Sequence, residues 1–299
     1  MLNVVYLAFG PRRVVETTVF SALTVAEAAR SSPEPWRLVV YTDQPDVFER
    51  YGVAAKFVPL ADVRNAEGAP DYPHRVKILA LRDCARRYDG GLLYLDGDTY
   101  FMRPADELFI RLGAARSVMH TRDLFLKDGA LPELARVFRE TEFSFPVLAA
   151  ARSQSDVAMW NAGVVGVSES DKGIVDDVLQ VADELFAVYS FHIVEQLAWS
   201  LTLAHHTEIS PADDVILHYW AAREELTHRI VKFVRASGAL SAEERAASAF
   251  ALRPQPSVAW RPPLSIRARR AARGGRQLLR SAKASVGGSR LPAKQSEMS

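Results

Sequence analysis

The sequence predicts a mixed α/β fold, a mostly parallel central sheet flanked by helices, and three observations carry that expectation. Strand-length apolar runs alternate with stretches of helical periodicity through the first hundred residues. Leu92–Leu95 is a run of four apolar residues behind the glycine pair Gly90-Gly91, the pattern of a strand buried on both faces. Two carboxylates, Asp96 and Asp98, then stand at the carboxyl end of that strand, where α/β sheets hold their ligands.

Asn3–Ala8 reads as the first strand, stopped by Phe9-Gly10-Pro11. Residues 14–30 carry a helical stripe of Val15, Val19, Ala22, Leu23 and Ala26. Strands follow over 36–42, ended by Asp43-Gln44-Pro45, and over 56–59; residues 61–73, with Asn65, Gly68, Pro70 and Pro73, read as a loop. A helix over 74–88 turns Ile78, Leu81, Ala85 and Tyr88 to the sheet and leads into the Asp-bearing strand. A short segment at 100–103, a helix over 105–112 and a strand over 115–120 come next. Beyond a helix at 131–140, the aromatic stretch Phe143, Phe145, Pro146 is expected to form a lid or an insertion beside the site. Residues 159–167 read as one strand entered through the small-residue corner Asn161-Ala162-Gly163. Helices over 171–189 and 191–203 follow, the second bearing Glu195-Gln196; a strand over 215–218 ends in His218, and helices over 221–235 and 241–250 complete the domain.

Of 299 residues, 48% are hydrophobic and 24% charged, the balance of a globular protein. The expected division is a domain over 1–255 and a basic tail over 256–299, rich in Pro, Arg, Gly and Ser and weakly ordered. Residues 261–299 hold ten Lys/Arg against one acid, while residues 1–260 hold 27 against 35, so an acidic body carries a cationic end. Leu264, Arg267, Ala271, Leu278 and Leu279 are spaced for a basic helix on an anionic membrane surface, or the tail is simply solvated. Nucleic acid is not an expected partner, because the tail lacks interleaved aromatics and the body is acidic. Cys84 is the single cysteine and reads as core filling, so no disulfide forms within the chain. With no leader and no apolar run of membrane-spanning length, the expected location is cytoplasmic, with a peripheral place on the inner face of the membrane if the tail binds lipid.

In extended backbone, residues i and i+2 point to one side, which would aim Asp96 and Asp98 together. At about 6 Å two like charges repel by roughly 3 kcal/mol at an effective dielectric near 20. A divalent cation or a shared proton relieves that repulsion.

Taken in order, Asp96-Gly97-Asp98, Asn161-Ala162-Gly163, Glu195-Gln196 and His218 behind an apolar strand resemble the motif set of family 8 glycosyltransferases, which include the glycogenins and bacterial lipopolysaccharide galactosyl- and glucosyltransferases. The resemblance covers about residues 3–220. It implies the GT-A fold and a metal-dependent transferase, retaining in stereochemistry, that moves a hexose from a nucleotide-diphosphate sugar to a glycan or lipid-linked acceptor. It implies Mn²⁺ or Mg²⁺ on Asp96, Asp98 and His218, with Asp96 also meeting the ribose. It places Asn161 and Gly163 at the sugar, Glu195 and Gln196 nearest the anomeric carbon, and Ala8, Phe9 and Gly10 against the base. The chain departs from the family after His218, where a Gly and a Lys are replaced by Tyr219-Trp220-Ala221-Ala222-Arg223; Arg223 is the substitute phosphate contact. The family's basic residue on the preceding helix falls at Ala80, and Lys77, one turn earlier, is its replacement. The alternatives are a nucleotide-sugar-binding protein of the same fold without turnover, and a haloacid-dehalogenase-type phosphatase suggested by Asp96-Gly97-Asp98-Thr99.

Overall fold

The computed structural model describes residues 1–64, 74–125, 131–152 and 157–254, all within one compact unit, Met1–Val258. The tail over 256–299, and the weak order expected there, lie outside the described residues. Four strands, β1 (Leu2–Ala8), β2 (Trp36–Thr42), β3 (Lys56–Pro59) and β4 (Gly91–Leu95), pair in parallel with β1 between β2 and β4. With β6 (Arg116–Met119), β9 (Val164–Val167) and β10 (Glu208–Pro211) they form a seven-stranded sheet in the order β10-β6-β9-β4-β1-β2-β3. Only β9 runs against its neighbours, so the sheet is mostly parallel as expected.

Alternation along the strands assigns the two faces. Val4, Tyr6 and Ala8 of β1 and Leu93 and Leu95 of β4 share a buried cluster with α1 (Arg12–Ala28), α10 (Arg223–Ala236) and α11 (Ala242–Leu252). The helix α4 (Arg75–Arg87) packs on β1 and β4 and against α8 (Ile174–Val188), which in turn packs on α9 (Val194–His206). Every residue of β4 is buried, which is why its run lacks polar alternation.

Two small antiparallel ladders stand beside the sheet. β5 (Thr99–Phe101) pairs with β11 (Ile216–His218), Thr99 opposite His218. β7 (Arg122–Phe125) pairs with β8 (Ala158–Trp160), Arg122 opposite Trp160.

Several expectations change. Residues 159–167 are not one strand: the Asn161 amide N–H turns to the Thr121 carbonyl at 2.7 Å, and its side chain takes the Gly163 N–H, so β8 and β9 enter different sheets. Asp96 to Thr99 is a turn rather than extended chain, closed by Thr99 N–H and Oγ1 donating to the Asp96 carbonyl. Residues 61–64 form a helical turn, α3 (Ala61–Arg64), while 65–73 lie outside the described residues. Pro45 does more than end β2; it starts the helix α2 (Pro45–Arg50), with its missing N–H where a helix needs none. The stretch around Phe143 and Phe145 is tied to α8. The Glu184 carboxylate accepts from the Ser144 and Phe145 amides, and a helix over Pro146–Arg152 follows.

Candidate active site

The β4–β5 turn delivers Asp96 and Asp98, and the β5–β11 ladder delivers His218 opposite Thr99. The Tyr219 N–H donates to the Asp98 carbonyl at 3.0 Å and locks the end of that ladder. Asp96, Asp98 and His218 therefore offer ligand atoms that all lie within 4.8 Å of one another. They meet at the carboxyl edge of the parallel strands, since Val5 of β1 pairs Tyr94.

Hydrogen bonding fixes how His218 presents its ring. The Gly163 N–H donates to Asn161 Oδ1 at 3.0 Å, which identifies that atom as the oxygen. His218 Nδ1, at 2.9 Å from the same oxygen, must then be the donor. Nε2 is left facing Asp98 Oδ1 at 3.2 Å and Asp96 Oδ2 at 3.7 Å, two oxygens that cannot donate. Either a proton or a cation must occupy Nε2. A hydrogen-bonded far nitrogen is how metal-binding imidazoles are oriented. Gly163 is required here, because a Cβ at that position would overlap the His218 ring. Gly97 leaves room in the turn for the Thr18 side chain, whose hydroxyl a Cβ there would displace.

Burial pushes the Asp98 carboxyl up, but the hydrogen bond and charge of His218 and the charge of Arg223 pull it further down, so the net position is below the usual carboxylate range. Arg223 Nε stands 3.6 Å from Asp98 Oδ2. On the other flank, the buried Lys77 ammonium lies 3.9 Å from Asp96 Oδ1 and 3.2 Å from Glu195 Oε1, bonds the Ala162 carbonyl and sits over the Tyr94 ring. The Tyr94 hydroxyl donates to Asp96 Oδ1 at 2.8 Å. Glu195, 5% exposed, has its carboxyl pushed up by burial and further by Asp96, with Lys77 opposing both.

The structure thus brings Asp96, Asp98, His218, Lys77, Glu195, Asn161, Gly163 and Arg223 into one connected site. Gln196 joins indirectly, donating to Asp123 Oδ2 at 3.1 Å. Ala8, Phe9 and Gly10 lie one strand away on the same sheet edge, and the Gly10 carbonyl accepts from Gln44.

Two residues escaped the sequence reading. Asp123 accepts from both Gln196 and Asn161, tying α9 to the residue that orients His218. His120, at the end of β6, hydrogen-bonds the Ile216 carbonyl through Nε2 and stacks edge-on to His218, ring centroids 5.3 Å apart. Neither stands in a motif; the available signal was only that His120 directly follows β6 and that Asp123 comes just after it, within β7.

No family model matches the sequence, and no curated protein matches it. Among solved structures, the chain is similar to the galactosyltransferase LgtC in complex with donor and acceptor sugar analogues, at 15% identity and a TM-score of 0.46, over 85% of this chain and 98% of that one. It is also similar to a glycosyltransferase involved in glycosylation of the major capsid of PBCV-1, at 13% identity and a TM-score of 0.42, over 77% of this chain and 98% of that one.

Proposed function

We propose that this chain is a GT-A-type glycosyltransferase that moves a sugar from a nucleotide-diphosphate sugar to a glycan or lipid-linked acceptor, with Mn²⁺ or Mg²⁺ held by Asp96, Asp98 and His218. The observation that supports this reading is the convergence of two carboxylates on an imidazole whose other nitrogen is already committed to Asn161. Carboxylate oxygens with one imidazole suit these cations, and the donor set fits. When bound, the ion supplies Lewis acidity to a departing diphosphate.

The chain's own residues supply the rest. Arg223 offers a guanidinium to phosphate oxygens from the Asp98 side. Lys77 offsets the two acids Asp96 and Glu195 that flank it, so their negative charge can be kept in a buried place. A carboxylate at Glu195 and an amide at Gln196 can stabilise positive charge developing on a hexose; retention is what the family resemblance implies. The engagement of Glu195 by Lys77 also favours a second reading, in which the nucleotide sugar is bound without turnover. Among the described residues no helix is long and apolar enough to cross a membrane. In this reading the basic tail gives a cytoplasmic enzyme its hold on an anionic membrane carrying the acceptor.

Calorimetry with UDP and Mn²⁺ tests the metal site. Binding should need Mn²⁺ in the wild type and vanish in Asp98→Ala; equal, metal-independent binding in both would overturn the proposal. Hydrolysis of UDP-, GDP- and dTDP-sugars in Mn²⁺ then separates turnover from binding.

A further inference from the structure

Asp96, Asp98 and His218 each have two side-chain atoms able to meet a cation, and in each residue one of the two is already engaged. His218 Nδ1 donates to Asn161 Oδ1 at 2.9 Å, and Asp98 Oδ2 faces Arg223 Nε at 3.6 Å. On Asp96 the engaged atom is Oδ1, and Tyr94 engages it, its hydroxyl donating at 2.8 Å. The atoms left over are Asp96 Oδ2, Asp98 Oδ1 and His218 Nε2, the last standing 3.7 and 3.2 Å from the two oxygens. Tyr94 reaches its place through the strand. Side-chain alternation in β4 sends Leu93 and Leu95 into the cluster with α1 and turns Tyr94 to the α4 face, where the Lys77 ammonium lies 4.4 Å from its ring centroid. The same ammonium is 3.9 Å from Asp96 Oδ1. The Asp96 main chain is fixed independently, its N–H donating to the Gly163 carbonyl at 2.8 Å and its own carbonyl accepting from Thr99. What the Tyr94 hydroxyl adds is therefore the rotation of the carboxylate, which decides the oxygen that faces His218.

We infer that Tyr94 is a positioning residue that restricts Asp96 to one ligand oxygen and so selects Mn²⁺ or Mg²⁺ against Ca²⁺, an assignment that rests on the metal-site reading of Asp96, Asp98 and His218. Ca²⁺ gathers about six to eight oxygens in flexible arrangements and readily takes both oxygens of one carboxylate. The smaller ions hold fewer ligands in a stricter geometry and are content with one oxygen from each acid. For Asp96 to offer both, Oδ1 would have to leave the Tyr94 hydroxyl, and a cation reaching Oδ1 would meet the Lys77 ammonium beside it. Asp98 is restrained more weakly, because Arg223 is an exposed side chain that can swing away. Tyr94 is 3% exposed and held under Lys77, so it cannot yield in the same way. The buried hydroxyl on the Asp96 side therefore sets the limit on how many oxygens the acidic pair presents.

The test titrates Mn²⁺ and Ca²⁺, each alone, into the full chain by calorimetry, using the wild type, Tyr94→Phe and Tyr41→Phe. Tyr94→Phe removes only the hydroxyl and keeps the ring under Lys77. Tyr41→Phe is the matched control, since its buried hydroxyl donates to the Asp83 carboxylate at 2.7 Å from β2, a strand that carries none of the three ligands. Thermal melts confirm that both variants fold. The wild type should bind Mn²⁺ more tightly than Ca²⁺. Tyr94→Phe should lower the ratio of the two affinities about tenfold, the size of effect expected when the partner that orients a metal ligand is lost, while Tyr41→Phe leaves it within about twofold. Three results overturn the assignment: a ratio in Tyr94→Phe within about twofold of the wild type, an equal fall in Tyr41→Phe, or a wild type that binds the two ions alike. If the wild type prefers Mn²⁺ and the ratio ignores Tyr94, the metal-site reading stands and the role of Tyr94 falls. If the wild type binds neither ion, both fall.

Discussion

Asn161 decides what His218 can do. Its oxygen takes both the Gly163 N–H and His218 Nδ1, and this leaves Nε2 as the only ring atom that can face the acids. Asn161→Ala should lower Mn²⁺ affinity about 10- to 100-fold by calorimetry, the size seen when an outer-shell partner of a metal ligand is lost. Gly163→Ala should destabilise the fold by about 1–3 kcal/mol in urea titrations, because the His218 ring or the strand must move aside. His120 carries the acid sensitivity of this corner. Burial and the neighbouring His218 push it down to about 3, against the pull of the Ile216 carbonyl. The unfolded chain takes that proton near about pH 6.5 while the folded chain does not, so stability falls as pH drops through the interval between those values. Urea unfolding at pH 7 and 5 should therefore show His120→Gln losing about 2 kcal/mol less on acidification than the wild type, at ~1.4 kcal/mol per pH unit.

At the level of elements, a three-residue ladder does more for the site than any helix. β11 carries no motif beyond a short apolar run, yet its pairing with β5 brings His218 beside Asp98 across 120 residues of sequence. Ile216 is fully buried beneath that ladder. Ile216→Ala should cost about 2–4 kcal/mol of stability and weaken Mn²⁺ binding at the same time, since the cavity lies under the strand that holds the ligand. Ser241→Ala is the contrasting case. Ser241 and Glu244 form a capping box at the start of α11, far along the chain from the acidic pair. Its loss should cost about 1 kcal/mol in a thermal melt and leave Mn²⁺ affinity unchanged. If both variants weaken metal binding equally, the ladder has no special role.

For the whole molecule, the charge division of the sequence sets up a truncation test. The Pro254 carbonyl accepts from the Tyr100 hydroxyl at 2.7 Å, so the domain is tied down at its last described residue. A chain ending at 255 should keep Mn²⁺-dependent nucleotide binding and lose co-sedimentation with vesicles rich in anionic lipid. Retained co-sedimentation would place the lipid contact in the domain instead.

Much of this was legible in the residues because it is local. The apolar run of β4, the stripes of α1 and α4, and the carboxylates at a strand end all follow from side-chain period and the need to bury apolar surface. The short polar strands β7 and β10 were not legible, since four residues without alternation carry no period. Nor was the break inside residues 159–167, which depends on a carbonyl at Thr121 to receive the Asn161 amide. The sequence by itself determined a mostly parallel α/β core, an acidic pair at its carboxyl edge and a cationic end. Only the tertiary structure decided that the pair is closed by a turn, that Lys77 stands between Asp96 and Glu195, and that Asn161 and Asp123 orient the site. The reason is physical: period and burial act along neighbouring residues, whereas hydrogen-bond partners across 40 or 120 positions exist only once strands have paired.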